Sequence, residues 1–305
     1  MGEIIAFIIY FVIVLGIGLY FFKKGGQNAD GYFLGGRQMN KWVVAISAQA
    51  SDMSGWLLMG LPGTVYALGM GQMWVAVGLA IGTYLNWFFT AERLRRFTEI
   101  AGNSITIPEY LQNRFKTSSM ALRVISAAVF FICFTVYAAS AFKAGGTVFS
   151  TVFNIPFNTA AIFFSIIVLI YTFLGGFHAV CWTDFVQGML MLAAVLFAPI
   201  GALFFMGSLD AGYFAAIDPN FLNPIPGGAF TYASFATIIS GLAWGLGYFG
   251  MPHILVRFMS IKTPSEMKTS RRIATVWVVL ALIGAVAVGN GQNPKLRTSD
   301  VLKCT

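Results

Sequence analysis

Eight apolar runs dominate this chain, each about as long as a helix that crosses a bilayer. They lie at residues 4–22, 42–70, 72–92, 120–150, 157–176, 180–207, 231–257 and 273–290. A hydrocarbon core is spanned by about 20 apolar residues of helix. Of the 305 residues, 58% are hydrophobic and 10% charged, whereas a soluble domain carries about 25% charged residues. An ordinary soluble domain, a disordered chain and a nucleic-acid binder are thereby excluded. The runs do not alternate every second residue as barrel strands would. The expected fold class is an all-α membrane protein embedded in a lipid bilayer.

The formal net charge of +8 reads as topology. Lys23, Lys24, Arg37 and Lys41 follow the first run, and Arg93, Arg95, Arg96, Arg114, Lys116 and Arg123 follow the third. Arg257, Lys262, Lys268, Arg271 and Arg272 follow the seventh. The connections after runs two, four and six carry no Lys or Arg, and the last of them holds Asp210 and Asp218. Basic connections stay in the cytoplasm, so the N-terminus is expected outside a cytoplasmic (inner) membrane, with Lys143 as an outward-snorkelling exception. The first run is too long, and its start too acidic at Glu3, for a cleavable signal peptide. Cys133, Cys181 and Cys304 have no metal-like spacing, so neither a disulfide framework nor a transition-metal site is expected.

Two runs are built to break. The second reads Ala45-Ile-Ser-Ala-Gln-Ala-Ser-Asp-Met-Ser-Gly-Trp-Leu-Leu-Met-Gly-Leu-Pro-Gly63, with an acid among small polar residues. The seventh reads Gly241-Leu-Ala-Trp-Gly-Leu-Gly-Tyr-Phe-Gly-Met-Pro252. Unwound backbone at membrane depth survives only where protein buries it or a cavity receives it. Paired interruptions of this kind mark the binding site of a secondary transporter. The two runs lie five apart with opposite sense, as an inverted five-helix repeat requires.

Asp52 is an acid near the middle of a span. An ionised carboxylate there costs at least about 2.5–3.5 kcal/mol on insertion scales, which a bound Na⁺ or proton offsets. Ser47, Ser51 and Ser54 offer hydroxyl oxygens beside it. The competing reading is a cap on the second half-helix. Trp244 and Tyr248, one turn apart, either wall a small-solute pocket or pack, since Gly241 and Gly245 form a close-approach surface. Pro252 ends the break. Arg37 touches the pathway mouth or is an interface charge. Asp184 suits a helix N-terminus or pairs with a basic loop. The Tyr137 hydroxyl needs a partner at depth. His178 and His253 share no metal-like spacing, and His253 reads as a packing residue. No enzyme motif is present, so the chain is not read as an enzyme and no cofactor is expected.

On these residues the chain resembles the sodium/solute symporter family. The matching stretches are Tyr32-Phe-Leu-Gly-Gly-Arg37, Ala50-Ser-Asp-Met-Ser-Gly-Trp-Leu-Leu-Met-Gly-Leu-Pro-Gly63, Gly175-Gly-Phe-His-Ala-Val-Cys-Trp-Thr-Asp184 and Gly245-Leu-Gly-Tyr-Phe-Gly-Met-Pro-His-Ile-Leu255. The second and fourth point to the proline branch of the family. The resemblance implies a leucine-transporter-like inverted-repeat fold and Na⁺-coupled symport of L-proline into the cell. It implies Na⁺ binding or coupling at Ala50, Asp52, Met53, Ser54, Gly55 and Arg37. It further implies a substrate pocket shaped by Trp244, Tyr248 and Pro252, with Tyr137 nearby. Alternatives left open are a transporter-like membrane sensor domain and a symporter for another small zwitterionic or carboxylate solute. Spacing does not choose Na⁺ over Li⁺ or H⁺.

The domain reading is a partial symporter core over 1–290, with a first repeat at 42–207 and the start of a second at 231–290. Residues 291–305 form a polar tail unlike the family. Eight spans against the family's about thirteen lead to the expectation of an incomplete, truncated or frame-shifted form, in which most of the second half of the inverted repeat is missing.

Overall fold

The computed structural model describes residues 2–24, 29–205 and 220–290. Asp210, Asp218, Cys304 and the whole tail 291–305 lie outside the described residues. The described residues are helical almost throughout, without a strand; one isolated parallel bridge joins Met39 and Ile261. The helices are α1 (Gly2–Lys24), α2 (Ala29–Leu34), α3 (Lys41–Gly55), α4 (Leu61–Leu68), α5 (Met73–Asn86), α6 (Glu92–Ile100) and α7 (Ile107–Arg114). They continue as α8 (Ala121–Phe153), α9 (Phe157–Phe205), α10 (Tyr232–Ala243), α11 (Pro252–Ser260) and α12 (Met267–Asn290).

Over their described residues all eight apolar runs are largely helical, but their divisions differ from those expected. Among the described residues five helices are long and apolar enough to cross a membrane, or six when the bent pair Tyr232–Gly250 and Pro252–Ser260 counts as one. Two facts account for the difference. Run two is too short on either side of its break to qualify. Runs five and six join as α9, whose 49 residues would make one helix about 73 Å long, against a hydrocarbon core of about 30 Å. The helical path of α9 is interrupted at Gly176 (φ 56°, ψ −157°), where a β-carbon would meet Tyr32 Cδ2 at 2.9 Å. Only glycine takes that backbone without strain.

The chain forms two compact units. One holds residues up to Asp52, Trp87–Gln187 and Gly250–Arg271; the other holds Met53–Asn86, Gly188–Phe249 and the chain from Arg272. In the first, α1 packs on α8 through edge-on rings of Phe7 and Phe11 against Phe149. Such contacts suit helices that gain nothing from expelling water and depend on close packing. In the second, α5 and α10 meet backbone to backbone. A β-carbon on Gly78 would lie 2.5 Å from the Gly241 carbonyl oxygen and 2.7 Å from Leu242 Cα, and one on Gly82 would overlap Gly245. Two Gly-x-x-x-Gly faces thus interlock, and the glycines of run seven do serve packing, as the competing reading of that run held.

Candidate functional site: a carboxylate at a broken helix

Run two breaks where its polar residues cluster. Ser54 sits at φ 43°, ψ −153° inside α3, a conformation that a residue with a β-carbon adopts only when its surroundings enforce it. A five-residue π-turn, Trp56–Gly60, leads into α4. Run seven breaks as well: α10 gives way to a 3₁₀ stretch, Trp244–Gly250, and α11 restarts at Pro252 after a bend of 49°. Proline at the first helical position loses no hydrogen bond. Interrupted helices leave carbonyls available that a continuous helix would bond internally.

In the first unit, Asp52 ends a buried polar line. Its side chain is 9% exposed, and its Oδ1 lies 3.8 Å from His253 Nε2. Among the described residues the Asp52 carboxylate accepts no hydrogen bond, so the capping alternative finds no support in the geometry. The Tyr137 hydroxyl donates to the Ser51 carbonyl oxygen at 3.2 Å, which supplies the partner its depth demands. The Tyr137 ring stacks on His253 at 5.6 Å and 22°, and Phe134 meets His253 edge-on at 5.4 Å. Ala50 and Met53, flanking Asp52, are buried.

One turn from His253 along α11, Arg257 is fully engaged. Its Nη2 donates to Asp184 Oδ2 at 2.6 Å, its Nε to Ser47 Oγ at 2.6 Å, and its Nη1 to the His253 carbonyl oxygen. Ser47 Oγ completes the ring by donating to Asp184 Oδ2 at 2.7 Å. The sequence reading places Arg257 among topology charges and pairs Asp184 with a helix end or a basic loop. Asp184 does pair with a basic residue, but that residue lies in the last turn of α11 rather than in a loop: Arg257 is 5% exposed there, neutralised by Asp184. The charge balance follows. Asp184 is compensated by Arg257, whereas Asp52, at the helix break, has no Lys or Arg partner among the described residues.

Arg37 is no solvent-facing charge either. It is buried at φ 53° and donates to Asn103 Oδ1, Thr98 Oγ1 and the carbonyl oxygens of Met259 and Ser104 at 2.9–3.1 Å. Burial pushes its pKa down, neighbouring Arg95 adds to this, and Glu99 and Asp30 oppose it. Arg95 donates to the carbonyl oxygens of Ile261, at 2.8 Å, and Lys262. Together the two arginines satisfy carbonyls that the C-terminal end of α11 leaves unpaired.

In the second unit, the Trp244 ring lies 5.7 Å from that of Trp56 and is 54% exposed, while Tyr248 is buried. Asn86, buried in α5, donates through Nδ2 to the Tyr248 carbonyl oxygen at 3.0 Å and so pins the unwound stretch. The sequence reading assigns Asn86, Arg257 and His253 no site role. A polar residue deep in an apolar run, or the i, i+4 spacing of His253 and Arg257, was the available signal. Of the residues expected to form one site, Asp52 and Tyr137 stand with Pro252's helix in one unit, and Trp244 and Tyr248 belong to the other. The described residues contain no cluster of His, Cys, Asp and Glu able to hold a metal ion; Cys181 is buried and Cys133 exposed.

Paired interruptions in the helices of a multi-span helical protein are the arrangement with which the class of secondary transporters builds its binding sites. The chain is a member of the sodium:solute symporter family, whose model matches residues 32–296. Sodium/proline symporters of Staphylococcus aureus, strains JH9 and NCTC 8325 / PS 47, are each 44% identical to it over 282 residues, 92% of this chain and 54% of theirs. The chain therefore spans about half the length of the curated relatives it matches. A solved structure described as the substrate-bound outward-open state of a Na⁺-coupled sialic acid symporter superposes with a TM-score of 0.80 at 19% identity, over 95% of this chain and 60% of that one. The fold is thus the inverted-repeat, leucine-transporter-like one.

Proposed function

We propose that the protein is a carrier that moves L-proline into the cell with Na⁺, across the cytoplasmic membrane and with its N-terminus outside. One observation carries the ion half of this reading: Asp52 is a nearly buried carboxylate at a helix break, without a hydrogen bond among the described residues, while nearby Asp184 is neutralised by Arg257. Na⁺ binds at Asp52 with help from the carbonyls of Ala50 and Met53, and Ser54 and Gly55 lie at the ion and substrate sites. Proline is held by Trp244, Tyr248 and Pro252, with Tyr137 beside them, and Arg37 contributes to coupling. Proline rather than another small zwitterion is favoured by the 44% identity to sodium/proline symporters. Each ligand aids the other to the extent that both prefer the same conformation. The work is transport rather than covalent chemistry, and Na⁺ is a coupling ion rather than a cofactor.

The test is radiolabelled L-proline uptake into proteoliposomes with an inward Na⁺ gradient, and with choline in its place. It should be run on this chain and on the chain continued to the full length of its relatives. Uptake that accumulates proline only with Na⁺ supports the reading. Uptake indifferent to Na⁺, or absent from both versions, refutes it.

A further inference from the structure

His253 is the residue whose state the proposed transport cycle leaves unexplained. Both of its ring nitrogens are buried and lack a hydrogen-bond partner, and its side chain is 14% exposed. An imidazole carries at least one N–H in either protonation state. A buried donor without an acceptor is unfavourable, and native structures rarely leave one so. The carboxylate facing it is Asp52, whose Oδ1 is 3.8 Å from Nε2, about 1 Å beyond a normal hydrogen bond.

Its surroundings hold the ring on that line. Tyr137 covers one face and Phe134 packs edge-on. The His253 carbonyl is taken by Arg257, which is committed in turn to Asp184 and Ser47. Among the described residues, Asp52 and Tyr137 approach the ring and Arg257 takes the carbonyl oxygen. Arg257 is already paired, and Tyr137 donates to the Ser51 carbonyl oxygen. The buried N–H and the unbonded carboxylate are complementary and face one another.

We infer that His253 is the resting partner of Asp52: with no cation bound, its N–H closes onto the carboxylate, and a cation binds by displacing it. His253 is thus a positioning residue that sets how tightly the cation is held. No proton need be gained or lost, because an N–H donor is present in both forms of the ring. The inference rests on the proposed cation site at Asp52.

The experiment is a Na⁺ titration of L-proline uptake in proteoliposomes for wild type, His253→Leu and His253→Gln, with membrane abundance measured alongside. Leucine removes the competitor, so the Na⁺ half-saturation should fall about tenfold, the size of one hydrogen bond to a charged group. Glutamine keeps an N–H and should return it to within about twofold of wild type, a rescue that a merely structural role would not produce. A His253→Leu half-saturation that is unchanged or raised overturns the inference. Should that variant fail to reach the membrane, imidazole ¹⁵N resonances of the wild type decide. A change between choline and Na⁺ supports the exchange, and none overturns it. Wild-type uptake that ignores Na⁺ overturns this inference and the proposed function together; Na⁺-driven uptake with an unmoved variant overturns this inference alone.

Discussion

Removing Arg257 should be among the most damaging changes in the first unit, and the damage should vanish when Asp184 goes with it. Arg257→Met strips donors from Ser47 Oγ, Asp184 Oδ2 and the His253 carbonyl at once. It leaves Asp184, 14% exposed, as an unpaired carboxylate. Breaking one partner of a buried ion pair costs about 3–5 kcal/mol. Asp184→Leu alone leaves a buried guanidinium and should cost about as much. The double variant replaces the pair by apolar groups, which is often close to neutral. The interaction energy from the cycle should therefore be about 4 kcal/mol or more, far outside the 0.3–0.5 kcal/mol or so within which independent sites add. Equilibrium unfolding in mixed micelles, on wild type and the three variants, measures it. If the double variant loses the sum of the two single losses, Arg257 and Asp184 do not compensate one another, and the contrast between a neutralised Asp184 and an unpaired Asp52 falls.

The remaining expectations concern the break, the glycine faces and the buried arginine. Asp52→Asn should raise the Na⁺ half-saturation of proline uptake about tenfold or more without lowering membrane abundance, since it removes the charge that offsets the cation's burial; an unchanged half-saturation counts against the site. Gly78→Ala should cost about 1–3 kcal/mol through overpacking, because its β-carbon has only the Gly241 and Leu242 backbone to push against. Gly63→Ala, with nothing within 4 Å of the added atom, should be neutral or slightly stabilising in the same unfolding assay. Arg37→Lys should cost most of the uptake rate. An ammonium cannot reproduce a planar donor set spread over Asn103, Thr98, Met259 and Ser104, and wild-type rates in this variant would show that those bonds are not needed.

Much of the architecture was readable in one dimension, because hydrocarbon is an unforgiving solvent. It admits helices of fixed length and excludes unpaired backbone, so apolar runs and their Gly/Pro interruptions are legible without a partner. Asp52 stood out for the same reason. The sequence could not show that α3 breaks at Ser54, two residues beyond the acid. Backbone strain is imposed by neighbours and is not written into a serine.

Nor could it pair the buried charges. Arg257 reads as one more basic residue near the end of a run, and its partners Ser47 and Asp184 are 210 and 73 positions away. Asn86 finds the Tyr248 carbonyl across 162 positions. His253 looked like a packing residue until both its nitrogens proved to be buried without partners. What the chain determined alone is therefore where helices run and where they fail, since solvent quality acts on each segment separately. Which charge neutralises which, and hence which carboxylate remains for a cation, was decided by tertiary packing, because electrostatic compensation depends on distances between segments that sequence order does not contain.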